Sequence, residues 1–145
     1  MTGGEDPSLS VVPEARVLAR CHDEGVRPTL LIVDDHAGFR ALARAVLEAE
    51  GFDVVGEAAD GATAVDQATR LDPDLVLLDV MLPDTDGFDV CERLHATGRG
   101  RPGVVLTSSR DAAAYADRLT TTSALGFVPK EELSGAALHS LGGGR

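Results

Sequence analysis

Leu75-Val76-Leu77-Leu78-Asp79-Val80-Met81-Leu82-Pro83-Asp84-Thr85-Asp86-Gly87 is the stretch whose reading decides the fold. Four apolar residues run without alternation into an aspartate. A strand apolar on both faces belongs at the centre of a parallel sheet covered on each side. Asp79 then stands at the carboxyl end of that strand, the edge where open α/β sheets hold their ligands. Pro83 and Gly87 are turn and boundary residues, so a short loop leads into a helix. A lone aspartate in this place is an ordinary cap or turn residue. Its meaning depends on what the other strands bring to the same edge.

Working outward, Thr29 to Val33 is a second apolar run, and it ends in Asp34-Asp35. From His36 to Glu50 the residues Phe39, Leu42, Ala43, Val46 and Leu47 recur at helical spacing, and Gly51 supplies a stop. Asp53 to Glu57 reads as a strand. Asp60 to about Leu71 reads as a helix with Val65, Ala68 and Leu71 on one face, broken by Asp72-Pro73. Phe88, Cys91 and Leu94 mark a helix ending near Gly98, and Val104 to Thr107 a strand. Asp111 to Leu119 is a short, Ala-rich helix with little apolar mass beyond Tyr115 and Leu119, and Thr120-Thr121-Thr122 disfavours its continuation. Ala124 to Val128 is a fifth strand and Glu131 to Leu141 a last helix. This alternation predicts an α/β domain over residues 29–141, with a five-stranded parallel sheet, helices on both faces and right-handed crossovers. Residues 1–28 form an N-terminal extension, rich in Gly, Pro, Ser and acid at its start, expected to be partly disordered with a short helix over Pro13 to Glu24. Residues 142–145 are expected to form a flexible tail.

The totals exclude several classes of function. Across 145 residues, 43% are hydrophobic and 26% charged, the balance of an ordinary globular domain. A net charge of −11, with a pI of about 4.6, argues against direct nucleic-acid binding by this chain and against an anionic membrane, since no basic stripe is present to neutralise phosphates. Cys21 and Cys91 make neither a disulfide framework nor a metal pattern, and Cys91 reads as a small core residue. His22, His36, His95 and His139 show no ligand spacing. Nothing resembles a signal peptide or a membrane span, so a cytoplasmic protein is expected.

Such a sheet delivers Asp34, Asp35, Asp79, Thr107 and Lys130 to one edge. Carboxylates gathered in one pocket repel unless a cation joins them. Hard oxygen ligands suit Mg2+, which takes one or two carboxylates and keeps waters for a phosphate-bearing partner. A carboxylate can then act as nucleophile toward a phosphoryl group, with Lys130 and the Thr107 hydroxyl placed to stabilise its other oxygens.

On these residues the chain resembles the receiver domain of two-component response regulators. The resemblance covers residues 29 to about 141. It is carried by Leu31-Ile32-Val33-Asp34-Asp35, by Asp79 with Met81 to Gly87, by Val105-Leu106-Thr107-Ser108 and by Gly126-Phe127-Val128-Pro129-Lys130, in the family's order and approximate spacing. It implies the flavodoxin-like strand order 2-1-3-4-5. It also implies that Asp79 is the phospho-acceptor of a sensor histidine kinase, and that Asp35 is a direct Mg2+ ligand while Asp34 acts largely through water. Met81 would offer its backbone carbonyl, and Lys130 would pair with the phosphoryl group. Thr107 and Phe127 would be the switch residues, remodelling the surface of the fourth helix, fifth strand and fifth helix toward a downstream protein, an effector domain or a second copy of the chain. The chain departs from the common pattern at Pro129, which precedes Lys130 where many receivers have proline after the lysine.

Two other classes compete. An aspartate-nucleophile phosphohydrolase also uses Mg2+ and an Asp after a parallel strand, but it wants a second Asp two residues on, where Met81 stands. A receiver-like binding module that is never phosphorylated would keep the core and lose the site, whereas the acidic pair, Thr107 and Lys130 are all present. Asp84 and Asp86 read as loop and capping residues. The expectation is a signalling domain rather than an enzyme, with only self-phosphorylation and self-dephosphorylation of its own.

Overall fold

The computed structural model describes residues 27–97 and 102–142. The helix expected over Pro13 to Glu24, the rest of the N-terminal extension up to residue 26, and Gly98 lie outside the described residues, as do residues 143–145 of the tail.

Five strands alternate with helices: β1 (Thr29–Val33), α1 (Ala37–Ala49), β2 (Asp53–Ala58), α2 (Gly61–Leu71), β3 (Leu75–Asp79), α3 (Gly87–His95) and β4 (Gly103–Ser108). A 3-10 turn (Ala112–Tyr115) then leads into the single-turn α4 (Ala116–Leu119), followed by β5 (Gly126–Pro129), a second 3-10 turn (Lys130–Glu132) and α5 (Gly135–Gly142). The sheet is parallel throughout, in the order β2-β1-β3-β4-β5. This is the flavodoxin-like arrangement expected, with β3 at its centre and buried at every position.

Period-two alternation splits the strand side chains between two cores. Leu31, Val33, Val76, Leu78, Val104 and Leu106 pack with Ala64, Ala68, Phe88, Val90, Cys91 and Leu94 beneath α2 and α3. Leu30, Ile32, Leu75, Leu77 and Val105 pack on the other face with Ala43, Leu47, Phe52 and Leu138. Cys91 is fully buried, as its reading as a core residue required.

Four details differ from the sequence reading, each for a reason that local pattern does not hold. Leu42 is 58% exposed, because the buried stripe of α1 runs through Ala43 and Leu47 and position 42 lies about 100° around the helix from 43. The fifth strand starts at Gly126 rather than Ala124, since the parallel register pairs Val105 with Gly126 and Ser108 with Pro129. The last helix starts at Gly135 rather than Glu131: Leu133 is extended, and the Ser134 hydroxyl accepts from the Ala137 amide at 3.0 Å as an N-cap. The fourth helix is a 3-10 turn plus one α turn, with Asp111 accepting from the Ala114 amide, and none of its residues is buried.

Capping sets the loops at the carboxyl edge. Asp60 caps α2 through the Thr63 amide at 2.7 Å, and Asp86 caps α3 through the Asp89 amide at 2.9 Å. Asp84 reaches across from the loop after β3 and accepts from the Gly61 and Ala62 amides at 2.8 and 3.0 Å. The carboxylate therefore satisfies two orphan donors of a neighbouring helix. Both Asp84 and Asp86 are thus capping groups.

Candidate functional site

The site is built where β1, β3 and β4 end. The amide of Asp34 still pairs with the Ala58 carbonyl at 3.0 Å, so the residue is held as an extension of β1 and its side chain is fully buried. Its Oδ1 accepts from the His36 amide at 2.8 Å, a local turn that starts α1. Arg40 donates to the Asp34 carbonyl at 2.6 Å and to Glu57 Oε1 at 3.0 Å, tying α1 and β2 to this corner. Asp35 follows with its side chain 37% exposed.

Asp79 is 3% exposed, and its Oδ1 accepts from the Met81 amide at 3.1 Å. The loop then returns sharply, with the Gly87 amide donating to the Val80 carbonyl at 2.7 Å. A Cβ on Gly87 would stand 2.5 Å from the Asp79 carbonyl oxygen, so only glycine lets α3 begin this close to the strand end. Lys130, in the turn after β5, places Nζ 2.6 Å from Asp34 Oδ2 and 3.3 Å from Asp79 Oδ2. The ammonium also lies 4.5 Å from the centre of the Phe39 ring.

One ammonium therefore faces two buried carboxylates, and the imbalance shows in their acidity. Burial pushes the Asp79 carboxyl up to about 6, with the Asp34 charge adding to it and the Met81 amide and Lys130 opposing. Burial works on Asp34 in the same direction. There the Lys130 ammonium and the His36 amide outweigh it and hold the carboxyl below its ordinary value. Lys130 is penalised by burial too, but its two carboxylate partners keep it firmly protonated. At neutral pH the corner carries excess negative charge.

A cation would relieve it. Asp34, Asp35, His36 and Asp79 each offer a ligand atom, and these atoms lie within 4.8 Å of one another. Asp34 Oδ2 is fully buried, and the group that faces it is the Lys130 ammonium of the ion pair at 2.6 Å. That single ammonium is shared with Asp79, so the buried carboxylates together still outnumber the positive charge that faces them. The donor set, mostly carboxylate, suits a hard divalent ion. Next to it opens a cleft of about 290 Å³, bordered by Asp35, Asp79, Met81, Ser108, Ser109 and Lys130.

The structure thus brings Asp34, Asp35, Asp79, Met81 and Lys130 together at one corner. Thr107 is Asp79's register neighbour on β4, but its hydroxyl donates to the Val128 carbonyl at 2.6 Å and does not line the cleft. Phe127 is half-buried, with its ring 5.8 Å from that of Tyr115. Three participants escaped the sequence reading. His36 has no ligand spacing in sequence, yet its Nδ1 lies 3.2 and 3.1 Å from Asp34 and Asp35. Ser108, in sequence only the residue after Thr107, borders the cleft. Tyr115, a ring on an Ala-rich segment, touches Ser108 through its hydroxyl at 3.0 Å. An isolated aromatic on an otherwise alanine helix was the available signal.

Among the described residues no helix is long and apolar enough to cross a membrane. The profile of the response regulator receiver domain matches residues 30–140. A Pseudomonas aeruginosa protein named as a transcriptional regulator is 41% identical over 103 residues, 71% of this chain and 49% of its own length. The DNA-binding response regulator MtrA of Mycobacterium tuberculosis is 46% identical over 88 residues, 59% of this chain and 37% of its own. The chain thus spans half or less of the length of these curated relatives. Among solved structures, the signal receiver domain of NarL from Mycobacterium tuberculosis superposes with a TM-score of 0.70 at 30% identity, covering 79% of this chain and 96% of that one. With its strand order, its acidic corner and these likenesses in agreement, the chain belongs to the response regulator receiver domain family.

Proposed function

We propose that Asp79 is the phospho-acceptor of this receiver, taking its phosphoryl group from the phosphohistidine of a partner sensor kinase. The observation that carries the reading is the place of Asp79: buried at the end of the central strand, between Asp34 and Lys130, and open to the cleft. In the transfer an Asp79 carboxylate oxygen forms the new O–P bond as the P–N bond breaks, and the departing imidazole nitrogen takes a proton. At neutral pH Asp79 is deprotonated, as a nucleophile must be. Lys130 is placed to pair with the phosphoryl oxygens, and Thr107 to offer its hydroxyl once it leaves the Val128 carbonyl.

Mg2+ is the ion this donor set suits, with Asp34, Asp35 and Asp79 as carboxylate donors and Met81 contributing its carbonyl. When bound it would neutralise the excess charge of the corner and shield the nucleophile from the incoming phosphate. Phosphorylation would then bias the surface of the α4 segment, β5 and α5 between two arrangements, with Thr107 and Phe127 following the new charge. MtrA is a DNA-binding regulator, so an output of that kind is a natural recipient of the signal, whether in the same polypeptide or another. The acidic chain described is the receiving part of such a system, acting in the cytoplasm through protein contacts that include a phosphorylation-dependent homodimer, with no turnover of an external substrate.

Incubation with acetyl phosphate and Mg2+, followed by intact-mass analysis in acid, tests the reading. One added phosphoryl group that disappears in Asp79→Asn is the expected result. Continuing release of phosphate from small esters would favour a phosphohydrolase, and no adduct would leave a binding module.

A further inference from the structure

Two hydroxyls close β4, and both are engaged away from Asp79. Thr107 donates to the Val128 carbonyl at 2.6 Å. Ser108, 1% exposed, has its Oγ 3.0 Å from the Tyr115 hydroxyl and accepts from the Arg110 amide at 3.1 Å. The Tyr115 ring lies between two others, 5.9 Å from Phe88 and 5.8 Å from Phe127. One side chain therefore touches the cleft rim through its hydroxyl, and α3 and β5 through its ring. No residue of its own segment from Ala112 to Leu119 is fully buried, the other holds being Leu119 at the core edge and Arg118 on Asp86 and Phe88.

We infer that Tyr115 is the positioning residue that holds the end of β4 in its resting form, its bond to Ser108 keeping the rim back from Asp79. Closure of that rim on a phosphoryl group breaks the bond and releases the α4 segment with it. The inference rests on Asp79 being the acceptor, and it goes further in assigning the resting state to a residue outside the acidic corner. On this account Phe127 moves as the ring partner of Tyr115. A neutral hydroxyl pair has a modest net worth, so the contact sets an equilibrium rather than a lock. Any ligand that favours the closed rim must oppose it, and removing the bond must raise that ligand's affinity by the same factor.

Beryllofluoride with Mg2+, a phosphoryl mimic, is the probe, titrated calorimetrically into the full chain and into Tyr115→Phe, Ser108→Ala and the double variant. Tyr115→Phe keeps the three rings and loses only the hydroxyl. Its affinity should rise roughly three- to tenfold, the range set by a neutral hydrogen bond. Ser108→Ala should do the same, and the double variant should gain nothing beyond either single change, which a merely structural residue would not produce. Tyr115 is the one tyrosine in a chain without tryptophan, so the ultraviolet emission of the wild type reports this residue and should change on adding the probe. Unchanged emission and unchanged affinity in Tyr115→Phe, while acetyl phosphate still adds its group at Asp79, would overturn the inference and leave the acceptor standing. No phosphoryl adduct and no beryllofluoride binding in the wild type would overturn both.

Discussion

The carboxyl ends of β3 and β4 lie side by side, joined where Asp79 registers with Thr107, and they lead into opposite arrangements. After β3 the chain turns within seven residues into α3, which buries Gly87, Phe88, Val90, Cys91 and Leu94 and is capped by Asp86. After β4 it passes into a 3-10 turn and one α turn with no fully buried residue, where only Tyr115 and Leu119 pack partly against the core. The second segment is held by the Tyr115 ring and by Arg118, whose guanidinium bonds Asp86 at 3.2 Å and lies 4.2 Å from the Phe88 ring centre. Arg118 ends on α3 and its cap, while Tyr115 reaches Phe88 of α3 as well as Phe127 of β5 and Ser108 of β4. One strand end is anchored and its neighbour leans on it, so the part free to move is moored to the part that cannot. Few buried contacts make for a low cost of local rearrangement.

The strongest way to break this contrast is at its shared post. Phe88→Ala should cost about 3–4 kcal/mol in urea unfolding, the usual range for emptying a buried aromatic site, while Leu119→Ala on α4 should cost about 1 kcal/mol or less. Equal losses would mean that α4 is as well anchored as α3.

Lys130→Ala probes the charge at the anchored end, leaving Asp34 and Asp79 facing each other without their ammonium. At pH 7.5 without divalent ions it should lose about 2–3 kcal/mol, since removing one partner strands buried charge. Millimolar Mg2+ should return part of that loss by binding the folded state, seen as a larger Tm shift than in the wild type.

Asp79→Asn should act in the other direction. The folded carboxyl is raised to about 6 by burial, so the fold binds this proton more tightly than the unfolded chain does. The stability it contributes is whole below its ordinary value near 4 and is lost as pH climbs through about 6. In EDTA at pH 7.5 the variant should therefore be more stable by about 1–2 kcal/mol, an advantage that fades toward pH 4; a gain independent of pH would contradict the charge argument.

The gentlest test separates the tethers from the post. Asp86→Ala removes a helix cap and should cost about 1 kcal/mol, while Arg118→Ala removes an exposed pair and should cost about 0.5 kcal/mol. In hydrogen exchange, Arg118→Ala should speed the amides of residues 112–119 and leave those of α3 unchanged. A matched change in both would mean that the two segments open as one unit.

The sequence was most legible where structure is local. Val76-Leu77-Leu78 announces a central strand because burial on both faces requires apolar residues on both faces. Asp79, Asp34 and Lys130 could be placed at one edge because every strand of a parallel sheet ends on the same side. The caps at Asp60 and Asp86 are local too, each reaching an amide three residues ahead. The helix pattern of α1 was right in kind and wrong at Leu42, since periodicity finds a face to within a residue but not which flank meets the sheet.

What only the tertiary structure decided is which groups touch. Adjacent Asp34 and Asp35 differ in burial because one continues the pairing of β1 and the other turns out of it. The start of β5 at Gly126 follows from register with β4, and the commitment of Thr107 to the Val128 carbonyl follows from that register in turn. The Ser108–Tyr115 contact exists only because a weak helix folds back over the strand end it follows. Residue type and period set the elements of this protein. Register, burial and the excess of carboxylate over ammonium are properties of the assembled sheet, because they depend on which strand lies beside which.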